Sequence, residues 1–360
     1  MKLVKGYGVF STPENKCWIN LWLEINSSGS SGSVEETTLQ AAYERQNVTV
    51  PHVSYFIIVG FSGLEDWPSR SILFSVFLVI YIVTVVENVT FVLVIKLDCR
   101  LHSPMYIFIC NLAILDILNP SATVPEMLYY TISNDKSIYF APCFFQMAFY
   151  LAVNITEGFT IVVMAYDRYQ AICNPLFYPS KMTNIFAIKL AILSWMPGTV
   201  VGFLYIYLVH TVFFCGPNKI MNYFCDYTMI MELACSDVTL QVKVSLLQSL
   251  LFLSALICCI TFSYVKILIS VFKVASSEGR WKAFSTCASH LLVIAVHMLV
   301  LAFVLIAYRI PGFSSDVLTL ASVLQNVIPS LVNPIIYCLK TTEIRTSFIK
   351  ILKRNMGTNK

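Results

Sequence analysis

Charge is what this 360-residue sequence has least of. Asp, Glu, Lys and Arg make up 12% of it, against 57% hydrophobic residues; a soluble domain runs nearer roughly a quarter charged and half apolar. So small a supply cannot clothe a water-exposed surface, and the chain reads as a membrane protein. The net charge of +4 comes without a long basic run, and no Cys/His spacing suited to a metal occurs. Both absences argue against nucleic acid and other soluble polyanions as partners. A cleavable leader is not expected either. The first forty-odd residues, with "INSSGSSGSVEETTLQ" among them, are polar and Ser/Gly-rich and hold no apolar stretch ending in a small-residue cleavage site. Residues 1–46 are expected to be a disordered extension, with an added upstream exon or a gene-model artefact as open as a working segment.

Apolar runs, by contrast, are abundant. A bilayer core takes about 20 residues per helix, and runs of that length stand near 71–96, 104–130, 143–169, 185–208, 240–272, 282–308 and 316–339. The expected fold is all-α: a seven-transmembrane helix bundle over 47–340. Lys96, Arg100, Lys181, Lys273, Arg280 and Lys282 follow spans one, three and five, and Lys340, Arg345, Lys350, Lys353 and Arg354 follow span seven. The opposite loops hold only Lys136, Lys219 and Arg309. Basic residues gather on the cytoplasmic side, so the N-terminus is expected outside, where Asn47, in Asn47-Val48-Thr49, becomes a glycan acceptor, as does Asn26. The sequons at Asn88 and Asn154 fall inside spans. Within the tail, 341–360, Ile344, Phe348, Ile349, Ile351 and Leu352 fall mostly to one side, an amphipathic helix for the inner membrane surface.

Polar residues inside such runs are costly and therefore informative. Asp167 and Arg168 stand in "MAYDRYQAIC" at the inner end of span three, with Tyr169 next; a guanidinium there can pair with its neighbour or reach between helix ends. In span seven, Pro334 has no N–H to give and breaks the helical ladder between Asn333 and Tyr337, which share a face. That suits a hinge with a polar switch. Glu157 lies about 15 Å along span three from Asp167, and Asp116 reaches a similar depth in span two. Both acids are expected in one polar interior with Asn88 and Asn333, sharing a proton or holding a hard cation. Glu87 adds an acid in span one to which the sequence gives no role. Of twelve cysteines, Cys143, Cys215, Cys225 and Cys235 lie at outward positions where pairing is permitted, with three connectivities open.

Four segments in order, "LHSPMYIFICNLAILD", "MAYDRYQAIC", "KAFSTCASHL" and "NPIIYCL", resemble the signatures of odorant receptors, the olfactory branch of the rhodopsin-like G-protein-coupled receptors, over roughly 47–354. The resemblance implies that Asp167, Arg168 and Tyr169, with Asn333, Pro334 and Tyr337, form the switch that admits a heterotrimeric G protein. It implies sodium at Asp116 and Glu157, no other cofactor, and disulfides Cys143–Cys225 and Cys215–Cys235. A small, largely apolar odorant is implied in the outer half of the bundle, near Met147, Tyr150, Leu151 and Asn154 of span three and His297, Met298, Leu301 and Leu305 of span six. The implied output is a stimulatory olfactory-type G protein raising cyclic AMP, from the plasma membrane of olfactory sensory cilia.

Two departures stand out. This chain has "VHMLV" where the family has an aromatic cluster of the Phe-Tyr-Gly kind, and Glu87 where the family has glycine. A non-olfactory rhodopsin-like receptor is the alternative reading. An enzyme is not expected: Ser289 and His290 are adjacent on a helix and project about 100° apart, poor geometry for a nucleophile and its base. No repeated half suggests a transporter.

Overall fold

The computed structural model describes residues 54–357 apart from 64, 65, 134, 216, 217, 274–276 and 308–311. The extension 1–46 with Cys17 and Asn26, and also Asn47 and Arg309, lie outside the described residues. Seven helices long and apolar enough to cross a membrane follow one another: Trp67–Leu97, Pro104–Ile132, Phe140–Cys173, Asn184–His210, Thr239–Phe272, Ser277–Ala307 and Ser315–Lys340, hereafter spans one to seven. The protein is a multi-pass membrane protein. Local chemistry sets the span ends. Asp66 accepts from the Ser69 N–H at 2.9 Å ahead of span one, and Ser314 from the Val317 N–H at 3.4 Å ahead of span seven. Pro104 opens span two in the first turn, where its missing N–H leaves no bond unmade.

Span four differs from the unbroken helix expected over 185–208. It consists of Asn184–Leu193 and Trp195–His210, parted at Ser194. Pro197 has no N–H for the Leu193 carbonyl, and its ring crowds that oxygen. Ser194 turns its hydroxyl back onto the Ala191 carbonyl at 2.6 Å.

Spans two, three and seven are the most enclosed, while span five has almost none of its apolar stretch buried within the protein. Asn111 of span two clamps its neighbours, giving to Thr160 Oγ1 of span three at 2.8 Å and accepting from Trp195 Nε1 of span four at 3.0 Å. One end of the bundle carries a three-stranded sheet with no counterpart in the sequence reading. In it β1 (Tyr55–Ile58) lies between β2 (Ser137–Tyr139) and β3 (Lys219–Ile220), antiparallel to the first and parallel to the second. Phe56 is fully buried there, its ring 4.6 Å from Phe140 and 5.3 Å from Phe214. At the opposite end Thr342–Gly357 forms the amphipathic helix, with Ile344 and Phe348 packed toward Leu101 and Phe91 and Ile349 left exposed.

Span four approaches span three through Gly198 and Gly202. A Cβ at Gly198 would overlap the Ala152 carbonyl and the Thr156 hydroxyl; at Gly202 it would stand 3.0 Å from the Ala148 carbonyl oxygen. Gly198→Val should therefore push the two helices apart at a cost of about 1–3 kcal/mol. The purified variant is expected to unfold at a lower temperature than the parent in the same detergent; an unchanged midpoint would show that the close approach is dispensable.

Candidate functional site

At the end of the bundle away from the sheet, Arg168 is buried and its Nε gives to Asp167 Oδ2 at 3.0 Å, with Nη2 on the same oxygen. The other carboxylate oxygen, Oδ1, accepts from Tyr178 Oη at 2.8 Å, so the segment after span three closes over the pair. Burial and the nearby Asp167 charge push the Tyr178 phenol above its ordinary range, which keeps it a donor. Tyr169 turns toward span five, its ring 6.2 Å from Phe262. Tyr264 of span five and His290 of span six meet through Oη and Nδ1 at 2.6 Å, so the His290 ring is engaged by a tyrosine rather than by Ser289. Next to this end, Asp98 receives Arg100 Nη2 at 2.6 Å and Ser347 Oγ at 2.8 Å, fastening the terminal helix to the loop between spans one and two.

The middle of the bundle holds the acids. Asn333 Nδ2 gives to Asp116 at 3.1 and 3.0 Å, tying span seven to span two. Pro334 has no N–H for the Ser330 carbonyl, and Asn88 of span one supplies the missing donor at 2.9 Å. Tyr337 is buried with its ring 6.2 Å from Phe91, and its hydroxyl makes no hydrogen bond among the described residues. Glu157 accepts from Asn119 Nδ2 at 3.4 Å on one oxygen and meets His297 Nε2 at 2.5 Å on the other. His297 Nδ1 lies 2.9 Å from the Val293 carbonyl. A carbonyl oxygen only accepts, so Nδ1 carries a proton; the contact at Nε2 then needs a second one, on the ring or on the carboxyl. In either form the pair is neutral overall, with one proton on Nδ1 and one between Nε2 and the carboxyl. Glu87 stays outside this set, with Oε1 buried and unbonded among the described residues.

Toward the sheet, disulfides join Cys143 to Cys225 and Cys215 to Cys235. The loop so held sends Tyr223 and Phe224 into the bundle, where both are buried and Asn326 Nδ2 of span seven lies 2.6 Å from Tyr223 Oη. The odorant positions fall into two groups. Met147 is sealed in the cluster around Cys143, Tyr205 and Cys225, and Tyr150 meets Phe224 edge-on at 4.8 Å. Leu151, Asn154, Met298 and Leu301 are half-buried, Asn154 giving to the Tyr150 carbonyl at 2.8 Å. The Leu305 side chain lies outside the described residues. His297, placed among the ligand positions by family likeness, meets Glu157 in the acid cluster. Sequence reasoning missed Asn119, Tyr223, Phe224 and Asn326; the Tyr-Phe pair directly before Cys225 was the one local signal for a plug.

Residues 77–355 match the family model described as olfactory receptor. The chain is similar to olfactory receptor 10J4 of Homo sapiens, 38% identical over 302 residues that cover 84% of this chain and 96% of that protein. It is 35% identical to olfactory receptor 11L1 of Homo sapiens over 319 residues, 87% and 96% of the two chains. Olfactory receptor 5P58 of Mus musculus is 36% identical over 305 residues, 85% and 92% of the two.

The Asp98 clasp gives a direct test of the terminal helix. Asp98→Ala should free that helix, seen as faster amide hydrogen exchange across 342–351 with spans two and three unchanged. Its hydrogen bonds from Arg100 and Ser347 hold the Asp98 carboxyl well below the usual carboxylate range. A lowered carboxyl stabilises the fold above the unfolded value and loses that contribution only as pH falls through the lowered one. The parent should thus exchange alike at about pH 7 and about pH 5.

Proposed function

This chain belongs to the olfactory receptor family, and we propose that it is an odorant-gated activator of a heterotrimeric G protein. The observation that carries this reading is the wiring of the acids: Glu157 of span three is tied to span six by His297, and Asp116 of span two to span seven by Asn333. A small apolar molecule lodged beside Leu151, Asn154, Met298 and Leu301 bears on span six one turn from His297. It favours whichever state of the bundle it fits better, and only that difference in affinity shifts the balance. At the other end, Arg168 leaves Asp167 and Tyr178 closes the pair no longer, which opens a mouth for the G protein's terminal helix. The sheet end is the outer one, in keeping with the basic residues that crowd the opposite loops. The protein then resides in the plasma membrane of olfactory cilia and raises cyclic AMP through a stimulatory G protein.

We infer that Asp116 and Glu157 need no sodium ion of the kind that family likeness implies. Both Asp116 oxygens receive Asn333, and Glu157 already has a proton shared with His297 and an amide from Asn119. We read His297 as the group that balances the acids in place of an ion.

Cells carrying an olfactory stimulatory G protein and a cyclic AMP reporter, screened with an odorant panel, test the main reading. Arg168→Ala should reach the surface and give no response to an odorant that drives the parent; a retained response would remove the arginine from the switch. Exchanging sodium for choline outside and inside permeabilised cells should leave the parent's response unchanged, whereas His297→Phe should become sodium-sensitive. A parent that responds to sodium would overturn the His297 assignment alone.

A further inference from the structure

On the flank of the bundle where spans two and three meet, toward the sheet end, runs a groove of about 260 Å³ lined by Leu118, Ser121, Glu126, Phe145, Gln146 and Phe149. It opens sideways: Phe145 at its lip is 67% exposed and stacks on Phe149 with centroids 6.0 Å apart. None of the switch, acid-cluster or odorant positions lines it.

Glu126 forms its polar end, some 9 Å below the end of span two at Ile132. Its carboxyl accepts from Tyr130 Oη at 3.1 Å and from Gln146 Nε2, both neutral donors. Among the described residues no Lys, Arg or His stands within ion-pair reach of it. This sets it apart from Glu157 and Asp167, each of which has a basic partner. Ser121 on the same wall has lost its usual helical donor, because Pro125 has no N–H. A head group suited to this place brings positive charge and several N–H donors, which an ammonium offers and a hydroxyl does not. The rest of the occupant has to be apolar and slender, since the groove lies just under the roughly 300–1,000 Å³ of ordinary ligand sites.

We infer that this groove is a binding site, separate from the proposed odorant positions, for a single-chain primary alkylamine that enters from the lipid with its ammonium on Glu126 and its chain along Phe145 and Phe149. Gln146 links the site to the loop that covers the bundle: its Nε2 also gives to the Ala122 carbonyl at 2.8 Å, and its Oε1 accepts from the Cys225 N–H at 2.9 Å. An ammonium on Glu126 competes with Gln146 for the carboxylate and so bears on the disulfide-held loop.

The test uses the full-length receptor in phosphatidylcholine nanodiscs and decylamine with a diazirine on its chain. Photolabel should map to Leu118, Phe145 or Phe149 and be competed by decylamine, not by decanol or decanoic acid. Glu126→Gln should reduce labelling about tenfold, the loss of one charge-assisted contact. Leu118→Trp fills the groove without touching the acid and should abolish labelling with both disulfides and surface delivery intact, which covers the case in which the first variant misfolds. Equal competition by decanol, label confined to other helices, or full labelling of Leu118→Trp overturns the proposal. Loss of label when phosphatidylethanolamine is added to the nanodiscs also overturns it, by giving the acid to a lipid head group.

Discussion

Apart from Glu87, the acids carried into hydrocarbon are met there by donors among the described residues, and the arrangement of this bundle follows from those contacts. On insertion scales a charged side chain at mid-membrane costs at least about 2.5–3.5 kcal/mol, and this chain carries several. Asp116 is met by Asn333, Glu157 by His297 and Asn119, Asp167 by Arg168 and Tyr178, and Glu126 by Tyr130 and Gln146. Asn333, His297 and Gln146 come from a different helix than the acid they satisfy, and Tyr178 comes from the segment after span three. Solvation and assembly are thus one process: spans two, three, six and seven cannot drift apart without stranding a carboxyl.

Backbone groups obey the same rule. At Pro334 a side chain from elsewhere replaces the withdrawn N–H: Asn88 gives to the Ser330 carbonyl. Span one thus completes the ladder of span seven at this point. Glycine supplies the opposite adjustment. Gly198 and Gly202 remove bulk so that span four can lie against the Ala148 and Ala152 carbonyls of span three, with packing taking the place of a hydrophobic drive that lipid does not supply.

The spans were legible in the sequence because a long apolar run is a local property. The break in span four was not, since Pro197 alone does not tell whether a ladder bends or parts. Asp116, Glu157 and Asp167 declared themselves by being charged where charge is costly; their partners did not. Nothing in the text around His297 points to Glu157, 140 residues earlier in the chain. Its level on span six set it beside the ligand positions, while an interhelical partner stayed unnamed. Cysteine spacing left three pairings open, and only family likeness selected the two that the structure contains. Tyr223 and Phe224 read as ordinary loop aromatics because burial beneath a disulfide-held loop is a tertiary fact. Strand β1 is too short to announce itself, and its two neighbours lie far off in sequence.

That distance bears on how the molecule is made. A ribosome delivers β1 first, whereas β2 emerges after two crossings and β3 only after four. Until β3 arrives one edge of the central strand stays bare, and Phe56 has Phe140 but not Phe214 to lie against. The roof is therefore a late event of biogenesis: a nascent polypeptide halted before its fourth crossing has walls but no complete covering, and it offers quality control an open strand edge and a half-sheltered aromatic ring as the mark of unfinished work.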